Sequence, residues 1–276
     1  MTGSKLVGIV MVKNEDMFLG QVLQNISGFC DEIIITDNRS SDNTPAVIED
    51  YCRSNPHARN CQIDKMSESH DLLQPYVGTN SWVFGVDGDE IYDPIGLSHF
   101  RNELKEGKYS ETWMILGNVL HCKRLDANAR QACGYLAPPC RSMTKLYNFN
   151  AIDAWPGSSG ERLHGGTISF RKGFSNGKRL ELCRRVTWEE SLFRCLHMCF
   201  LQRSSLELNR CGEVVPRPNP ADLMSRSRAR VFKDTIKQVL RIPLRCNPEW
   251  KIDKFTRGAL VSKDVLAFFR STNPES

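Results

Sequence analysis

Two carboxylates separated by a single glycine stand at Asp87-Gly88-Asp89, directly after the apolar run at residues 81–86. A short, continuous apolar run is typical of a strand buried on both faces, so the acids would emerge where that strand ends. Carboxylates are costly to bury unless a positive group reaches them, and a hard divalent cation that bridges phosphate oxygens is such a group. The cluster therefore predicts a metal and phosphate site, with a solvated turn after the strand as the alternative.

Two further polar segments follow apolar runs nearer the start of the chain. Lys-Asn-Glu at residues 13–15 comes directly after the run at residues 6–12, and the turn-rich segment 37–44 follows the run at residues 32–36. Both runs have the length and composition of buried strands. All three predicted strands therefore end in polar side chains.

Helices are expected between these strands. Apolar side chains recur at helical spacing from residue 16 to a stop at Gly28, and Thr44-Pro45 has the form of an N-cap and a first-turn proline that open a helix to about Ser54. Strands that alternate with helices imply a parallel, helix-flanked sheet. Because ligands of such sheets bind beyond the carboxyl ends of the strands, we expect the three polar segments to meet at one edge.

Taken in order, the three segments resemble those of the family 2 glycosyltransferases of the GT-A fold. That family places an Asn-Glu turn after the first strand, an Asp-Asp-Gly-Ser-x-Asp-x-Thr segment after the second, and an Asp-x-Asp motif later. Here Asn38 and Arg39 replace the second Asp and the Gly. The other positions of the second segment stay in register at Asp37, Ser40, Asp42 and Thr44. The resemblance is specific over about residues 5–95 and looser to about residue 205.

The resemblance implies an α/β fold of the GT-A type, with a Rossmann-like, mostly parallel sheet flanked by helices. A nucleotide-binding half would occupy residues 1–95 and an acceptor half with a mixed sheet residues 96–205. Residues 206–276 would form a helical C-terminal extension. Together, 1–205 would make up the glycosyltransferase domain.

The second half of the chain carries weaker signals. Residues 112–120 and 143–149 are strand-like, and the spacing of Thr187-Trp-Glu-Glu190 is that of a capping box, which predicts a helix through about residue 203. In the tail, residues 221–241 and 261–269 are expected to be helical.

The resemblance also implies roles for the acids. Glu15 and Asp37 would hold the nucleoside of a nucleotide-sugar donor, and Asp89 would coordinate the metal. Asp87 would approach the ribose or the ion, and Asp42 would cap the second helix. For each of these acids, turn capping or solvation is the alternative.

The implied reaction moves a sugar from a nucleotide-sugar to an acceptor hydroxyl. As the bond from the anomeric carbon to the diphosphate breaks, negative charge develops on the leaving group, and a metal ion neutralises it. We expect Mn²⁺ or Mg²⁺ as cofactor, a UDP-sugar as the first choice of donor, and a glycan, a lipid-linked compound or another hydroxyl compound as acceptor. Inversion by a single displacement is preferred, and a retaining enzyme of the same fold is the alternative.

The acceptor hydroxyl must lose its proton, which requires a base. Glu161 resembles a Glu found downstream of the Asp-x-Asp in one branch of the family. It lies in the glycine-rich segment 157–166, which we expect to be a mobile loop. Glu189 resembles part of a Glu-Asp pair that opens the acceptor-side helix in other branches. We prefer Glu161. Glu190 is expected instead to bond the backbone of Thr187 in the capping box.

His197 resembles the downstream histidine that contacts the metal or the diphosphate in related enzymes, with a core histidine as the alternative. A separate metal site at Cys195, His197 and Cys199 is rejected because, on the predicted helix, spacings of two and four do not bring all three to one face. The arginines near and beyond this segment are assigned to a solvated helical face rather than to phosphates: Arg203, Arg226, Arg228 and Arg230.

Composition limits the class of protein. The chain has 276 residues, and 37 Lys and Arg against 32 Asp and Glu leave a net charge of only +5, which suits an anionic ligand without demanding a nucleic acid. No apolar run approaches the roughly 18 residues of a membrane span, so no transmembrane segment is expected. Eleven cysteines without paired Cys-x-x-Cys spacing indicate reduced, mostly buried thiols. These features predict a cytoplasmic protein or one at the surface of a membrane.

Two other classes compete with a glycosyltransferase. A sugar-phosphate nucleotidyltransferase normally has a glycine-rich, basic phosphate loop after the first strand, and residues 12–15 do not form one. A non-enzymatic module that binds nucleic acid or anionic lipid through the arginines of the tail is disfavoured by the small net charge and by the lack of a nucleic-acid motif.

Overall fold

The computed structural model describes residues 3–126, 128–142, 145–156, 162–163, 166–207 and 254–269. The described helices are α1 (Leu19–Ser27), α2 (Thr44–Ser54), α3 (Glu68–Asp71) and α4 (Pro94–Lys105). The described strands are β1 (Lys5–Val12), β2 (Glu32–Asp37), β3 (Ala58–Gln62), β4 (Ser81–Asp87), β5 (Glu90–Tyr92), β6 (Met114–Leu116), β7 (Asn118–Asp126), β8 (Gln131–Leu136), β9 (Lys145–Asn148), β10 (Ile152–Ala154), β11 (Ser169–Phe170), β12 (Arg179–Glu181), β13 (Arg194–His197) and β14 (Leu260–Asp264).

Seven strands form the main sheet in the order β12-β6-β9-β4-β1-β2-β3. Six of them run parallel, and β9 runs antiparallel between β4 and β6. The mostly parallel sheet predicted from the sequence is confirmed, as are the predicted strands β1, β2 and β4, whereas the short strand β3 was not predicted. The register sets Met11 opposite Asp87 and Val12 opposite Asp37, so the three polar segments leave the sheet at one edge.

Apolar side chains cover both faces of this sheet. Along β1, Leu6 and Val10 pack in the core on the side of α1 and α4, whereas Val7 and Ile9 pack in a second cluster on the opposite face. Burial on both faces is why β1 is a continuous apolar run. Helix α1 closes the first face with an apolar stripe that is fully buried, and each such side chain contributes about 1.5–3 kcal/mol.

A second sheet of five strands has the order β14-β8-β7-β13-β5. Strand β5 starts directly after Asp89 and pairs with β13, which sets Glu90 opposite His197. The pairing of β5 with β13 therefore places the acidic segment that follows β4 beside the end of β13. None of the helices in the described residues is both long and apolar enough to cross a membrane.

The helix predicted from residue 187 to about 203 is wrong. Thr187 and Glu190 do make the hydrogen bonds of a capping box, but the chain then enters strand β13, which is hydrogen-bonded between β5 and β7. Cys195 and Leu196 are fully buried there. Strand pairing and burial of this apolar run override the local helix signal.

Three other segments differ from the predictions. The strand-like stretch 112–120 divides at Gly117 into β6 and β7, which belong to different sheets. Residues 261–269 are mainly not helical, because β14 pairs with β8 and a single 3₁₀ turn follows at Leu266–Phe269. The helix predicted at 221–241, with its arginines, lies outside the described residues.

Candidate active site

The acidic segment after β4 lies against the turn that follows β1. A Cβ atom on Gly88 would lie 2.3 Å from a carboxylate oxygen of Glu15 and 2.8 Å from the side chain of Val12. Only glycine lets Glu15 approach the backbone between Asp87 and Asp89 this closely. Packing against Glu15 and Val12 therefore requires glycine as the middle residue of the Asp-x-Asp motif.

Asp89 is almost fully buried, at 1% exposure, and an arginine neutralises it. Nη1 of Arg203 donates to Oδ2 of Asp89 at 2.6 Å and lies 3.2 Å from Oε1 of Glu15. Burial alone would lower the pKa of Arg203, but the charges of the two carboxylates more than offset this and raise it. The assignment of Arg203 to a solvated helical face is wrong, since its side chain is only 13% exposed and bridges two predicted site acids.

Asp87 has its own arginine. Arg162 is buried, and its guanidinium donates to the carbonyl oxygen of Val86 and to Oδ1 of Asp87. Burial would raise the pKa of Asp87, but the charge and hydrogen bond of Arg162 prevail and lower it to about 2. Asp87 is therefore an anion with a fixed orientation. No sequence signal singled out Arg162, which lies 75 residues further along the chain.

A third acid, Glu90, completes the acidic segment and was assigned no role from the sequence. Its Oε2 accepts hydrogen bonds from the backbone N–H of Asp87 and from the hydroxyl of Tyr92. Its Oε1 has no hydrogen-bond partner among the described residues. Burial, followed by the charge of Asp87, raises the pKa of Glu90 to about 8.

His197 lies next to Asp89, as the metal-ligand prediction requires. Its Nε2 is 3.6 Å from Oδ2 of Asp89, and its Nδ1 is 2.8 Å from Nδ1 of His121. Nε2 of His121 is 2.8 Å from the carbonyl oxygen of Arg141. Both histidines are buried, and burial is the main reason that both pKa values lie below the usual value.

These contacts define which nitrogens of the histidine pair carry protons. The carbonyl of Arg141 can only accept, so Nε2 of His121 is the donor in that contact. The neutral ring of His121 then accepts at Nδ1, and His197 donates from its own Nδ1. In the neutral ring of His197, Nε2 then carries the lone pair and lies toward the carboxylate of Asp89.

The prediction about Cys195, His197 and Cys199 was argued from the wrong secondary structure. These residues lie on or just after β13, not on a helix. The ligand atoms of His121, His197 and Cys199 all lie within 4.8 Å of one another. His121 was missed because it lies within the apolar part of β7, where the local pattern gives no sign of its partner.

The turns after β1 and β2 are tied together by hydrogen bonds. Oδ1 of Asp37 accepts from the backbone N–H and the hydroxyl of Ser40, and the backbone N–H of Glu15 donates to Oγ1 of Thr44. Asp42 accepts from the N–H of Thr44, the first residue of α2, whereas the N-cap of that helix is Asn43 rather than the predicted Thr44. Glu15 and Asp37 are both buried at this edge of the sheet.

The two candidate bases are placed differently. Glu161 lies outside the described residues. Glu189 is exposed, and its Oε1 lies 2.6 Å from Nζ of Lys263 on β14, a contact that lowers the pKa of Glu189. It precedes the N-terminal end of β13, whereas His197 is at the other end of that strand.

No family model and no curated protein matches the sequence. Among solved structures, similarity is found to TarS of S. aureus, residues 1–349, with a TM-score of 0.38, 16% identity and coverage of 57% of this chain and 52% of that chain. Glucosyl-3-phosphoglycerate synthase of Mycobacterium tuberculosis, in complex with Mn²⁺, UDP and glucosyl-3-phosphoglycerate, has a TM-score of 0.36, 17% identity and coverage of 56% and 60%.

A mannosyltransferase of Pyrobaculum calidifontis, in complex with GDP-Man and Mn²⁺, has a TM-score of 0.31, 15% identity and coverage of 44% of this chain and 36% of that chain. This chain thus spans between about a third and three fifths of the length of these proteins.

Proposed function

We propose that this chain is a metal-dependent glycosyltransferase that transfers a sugar from a nucleotide-sugar to an acceptor hydroxyl. The observation that carries the proposal is that the buried carboxylate of Asp89 lies 3.6 Å from Nε2 of the buried His197, at the carboxyl edge of a mostly parallel sheet. A carboxylate oxygen and an imidazole nitrogen are donor atoms that hold divalent cations, and Oδ2 of Asp89 already pairs with the positive charge of Arg203. The site is therefore built for a positive charge.

The spacing of these two groups fits a divalent ion. Two ligand atoms that each lie about 2.1 Å from one ion are about 3.0–3.5 Å apart at right-angled to tetrahedral geometry. The 3.6 Å between Asp89 and His197 needs only a small closure to reach that range. When bound, Mn²⁺ or Mg²⁺ would neutralise the charge that develops on a diphosphate leaving group.

Arg203 neutralises Asp89 in this structure, and it would have a second function when the ion binds. A guanidinium released from Asp89 matches the oxygen geometry of a phosphate group. Arg203 would then hold the diphosphate, and Glu15 would keep the arginine at the site through their 3.2 Å contact.

The remaining acids suit a nucleoside. Asp37 and Glu15 lie buried at the edge where parallel sheets bind their ligands. Asp87 is held as an anion by Arg162, and carboxylates accept hydrogen bonds from ribose hydroxyls. We assign Asp37 and Glu15 to the nucleoside and Asp87 to the ribose next to the metal.

His121 acts as a positioning residue in this proposal. Its Nδ1 would accept a hydrogen bond from the Nδ1–H of His197, so that Nε2 of the neutral His197 ring faces Asp89. A ligating histidine is commonly oriented by such a partner on its other nitrogen.

For the base, we retain Glu161 ahead of Glu189. Glu189 is exposed and paired with Lys263, which lowers its pKa and makes it a weaker base. Glu161 is the chain neighbour of Arg162, which holds Asp87. A base on the face of the sugar opposite the diphosphate would give inversion by a single displacement.

Thermal shift against a panel of nucleotides and nucleotide-sugars tests the proposal. A true ligand stabilises the folded protein by mass action, by about 2.7 kcal/mol at a concentration 100 times its Kd. We expect a UDP- or GDP-linked ligand to stabilise the protein with Mn²⁺ and not with a chelator. Radiolabelled donor then identifies transfer or hydrolysis of the sugar. Stabilisation by no nucleotide under either condition would contradict the proposal.

A further inference from the structure

A cavity of about 680 Å³ opens beside the candidate active site. Its lining includes Leu116 on β6, Lys145 on β9 and Glu181 on β12. In one row of the main sheet, Leu116 lies opposite both Lys145 and Glu181. The same row continues to Gly85 on β4, two residues before Asp87. The cavity therefore lies at the same edge of the sheet as the acidic segment, on the side away from β1.

Consecutive residues connect the cavity wall with Asp87. Leu163 lines the cavity and packs so closely on β4 that a Cβ atom on Gly85 would lie 2.7 Å from it. The preceding residue, Arg162, binds Asp87. A molecule in the cavity would thus lie next to the group that we assign to the donor ribose.

The charge of the described lining residues is strongly positive. Arg141, Lys145, Arg179 and Arg184 face the cavity together with a single carboxylate, Glu181. That carboxylate is already paired with Arg184. Among the described lining residues, no carboxylate is therefore left to balance the charge of Arg141 and Arg179.

The pKa of Lys145 is also lowered by a neighbouring positive charge. Burial, followed by the charge of Arg141, lowers the pKa of Lys145 to about 8, although Asp87 acts in the opposite direction. Holding these cations together is unfavourable, and an anion in the cavity would relieve the repulsion.

The rest of the wall can hold a carbon skeleton. Trp113, Tyr147 and Trp155 line the cavity, and the guanidinium of Arg179 lies 5.3 Å from the ring centre of Trp113. A volume of about 680 Å³ falls within the range typical of small-molecule sites. A polymer surface would need a longer groove.

We propose that this cavity is the acceptor site and that the acceptor is a small hydroxyl compound bearing a phosphate or a carboxylate. This inference rests on the proposed function, because the cavity is an acceptor site only if the chain transfers a sugar from a donor bound beside it. An anionic group would bind Arg141 and Arg179 and direct the carbon skeleton onto the aromatic wall, whereas a neutral acceptor would make no such charged contact.

The test measures binding of matched anionic and neutral probes without any transfer. Calorimetry would compare glucose 6-phosphate and glucuronate with glucose at physiological salt, using wild-type protein. We expect both anions to bind at least about tenfold more tightly than glucose, since hydrogen bonds to charged groups favour them by that order. Equal binding of all three, or no binding of either anion, would overturn the inference.

Variants locate the anion. Arg141→Gln and Arg179→Gln each remove one exposed charge of the wall, and we expect each to weaken anion binding about tenfold or more. Arg53→Gln removes the same charge from the exposed face of α2 and serves as the matched control. Loss of binding in all three variants, or in none, would overturn the assignment to this cavity.

A parallel titration with UDP and Mn²⁺ separates this inference from the proposed function. If the nucleotide binds and the donor is turned over while neutral and anionic acceptors are used equally well, the proposed function stands and the anionic acceptor does not. If the anions bind but no nucleotide does, the assignment of the cavity as an acceptor site fails together with the proposed function.

Discussion

Replacing Arg203 by methionine removes the positive charge that bridges Asp89 and Glu15 while retaining most of the side-chain volume. Breaking a fully buried ion pair costs about 3–5 kcal/mol, because the remaining charge is left uncompensated. The side chain of Arg203 is 13% exposed and that of Asp89 1%, so we expect the low end, about 3 kcal/mol. For a urea m-value of about 3 kcal/mol/M this lowers the midpoint of unfolding by about 1 M.

Mn²⁺ should recover much of this loss. In the wild type the ion must displace the guanidinium from Oδ2 of Asp89, whereas in Arg203→Met the carboxylate is open to it. The variant should therefore gain more stability from Mn²⁺ than the wild type does. Urea unfolding at a series of Mn²⁺ concentrations measures both effects.

The chain offers a matched control in a second largely buried arginine. Arg194 pairs with Asp93 at 2.7 Å, with side-chain exposures of 16% and 4%, and stacks near Trp188 and Phe268. Arg194→Met should lose comparable stability without being rescued by Mn²⁺. A loss below about 1 kcal/mol in Arg203→Met, or equal rescue of both variants, would refute the reasoning.

Three more predictions follow from the same site. The pKa of Glu90 is raised to about 8 in the folded protein, so the folded state keeps a proton that the unfolded state releases above about pH 4.5. The free energy of unfolding therefore falls as the pH rises from about 4.5 toward 8, by at most about 1.4 kcal/mol per pH unit. Glu90→Gln should remove this pH dependence. If the urea midpoints of the variant and the wild type change equally between pH 5 and 8, the raised pKa of Glu90 is contradicted. His121→Phe should weaken Mn²⁺ binding about 10- to 100-fold with the fold intact, as measured by calorimetry and circular dichroism, and unaltered affinity would exclude its positioning role. Glu161→Gln should lower turnover by about 10²–10⁴ with donor binding retained, whereas Glu189→Gln should be mild, and the reverse result in a transfer assay would move the base to Glu189.

The N-terminal half of the fold could largely be predicted because its signals are local. Strands β1, β2 and β4 are buried on both faces, which requires continuous apolar runs, and each leads into polar side chains at the carboxyl edge of the sheet. Periodicity and turn residues then determine the two intervening helices. Asp37, Asp87 and Asp89 follow from this pattern because each stands directly at the end of a strand.

The counter-charges of the site could not be predicted in the same way. Arg203 meets Asp89 across 114 residues, and Arg162 meets Asp87 across 75. Neither arginine lies in a pattern that distinguishes it from a solvated one. Their positions depend on how the second sheet and the loops pack on the first, and tertiary contacts of this kind leave no short-range trace in the sequence.

The region around β13 shows a local signal that tertiary structure overrides. Thr187 and Glu190 make the hydrogen bonds of a capping box, yet the apolar residues that follow are buried as a strand between β5 and β7. A short apolar run is compatible with either state, and the presence of neighbouring strands decides between them. The same choice misplaced His197 on a helix and concealed its pairing with His121.

Mn²⁺ binding monitored by electron paramagnetic resonance in the presence of UDP tests the central claim most directly. Wild-type protein should bind one ion per chain together with the nucleotide, and Asp89→Asn and His197→Gln should each weaken that binding at least about tenfold, because each removes one proposed ligand. Arg194→Met should bind the ion as the wild type does. If Asp89→Asn binds Mn²⁺ and UDP as tightly as the wild-type protein, the assignment of Asp89 as a metal ligand is contradicted.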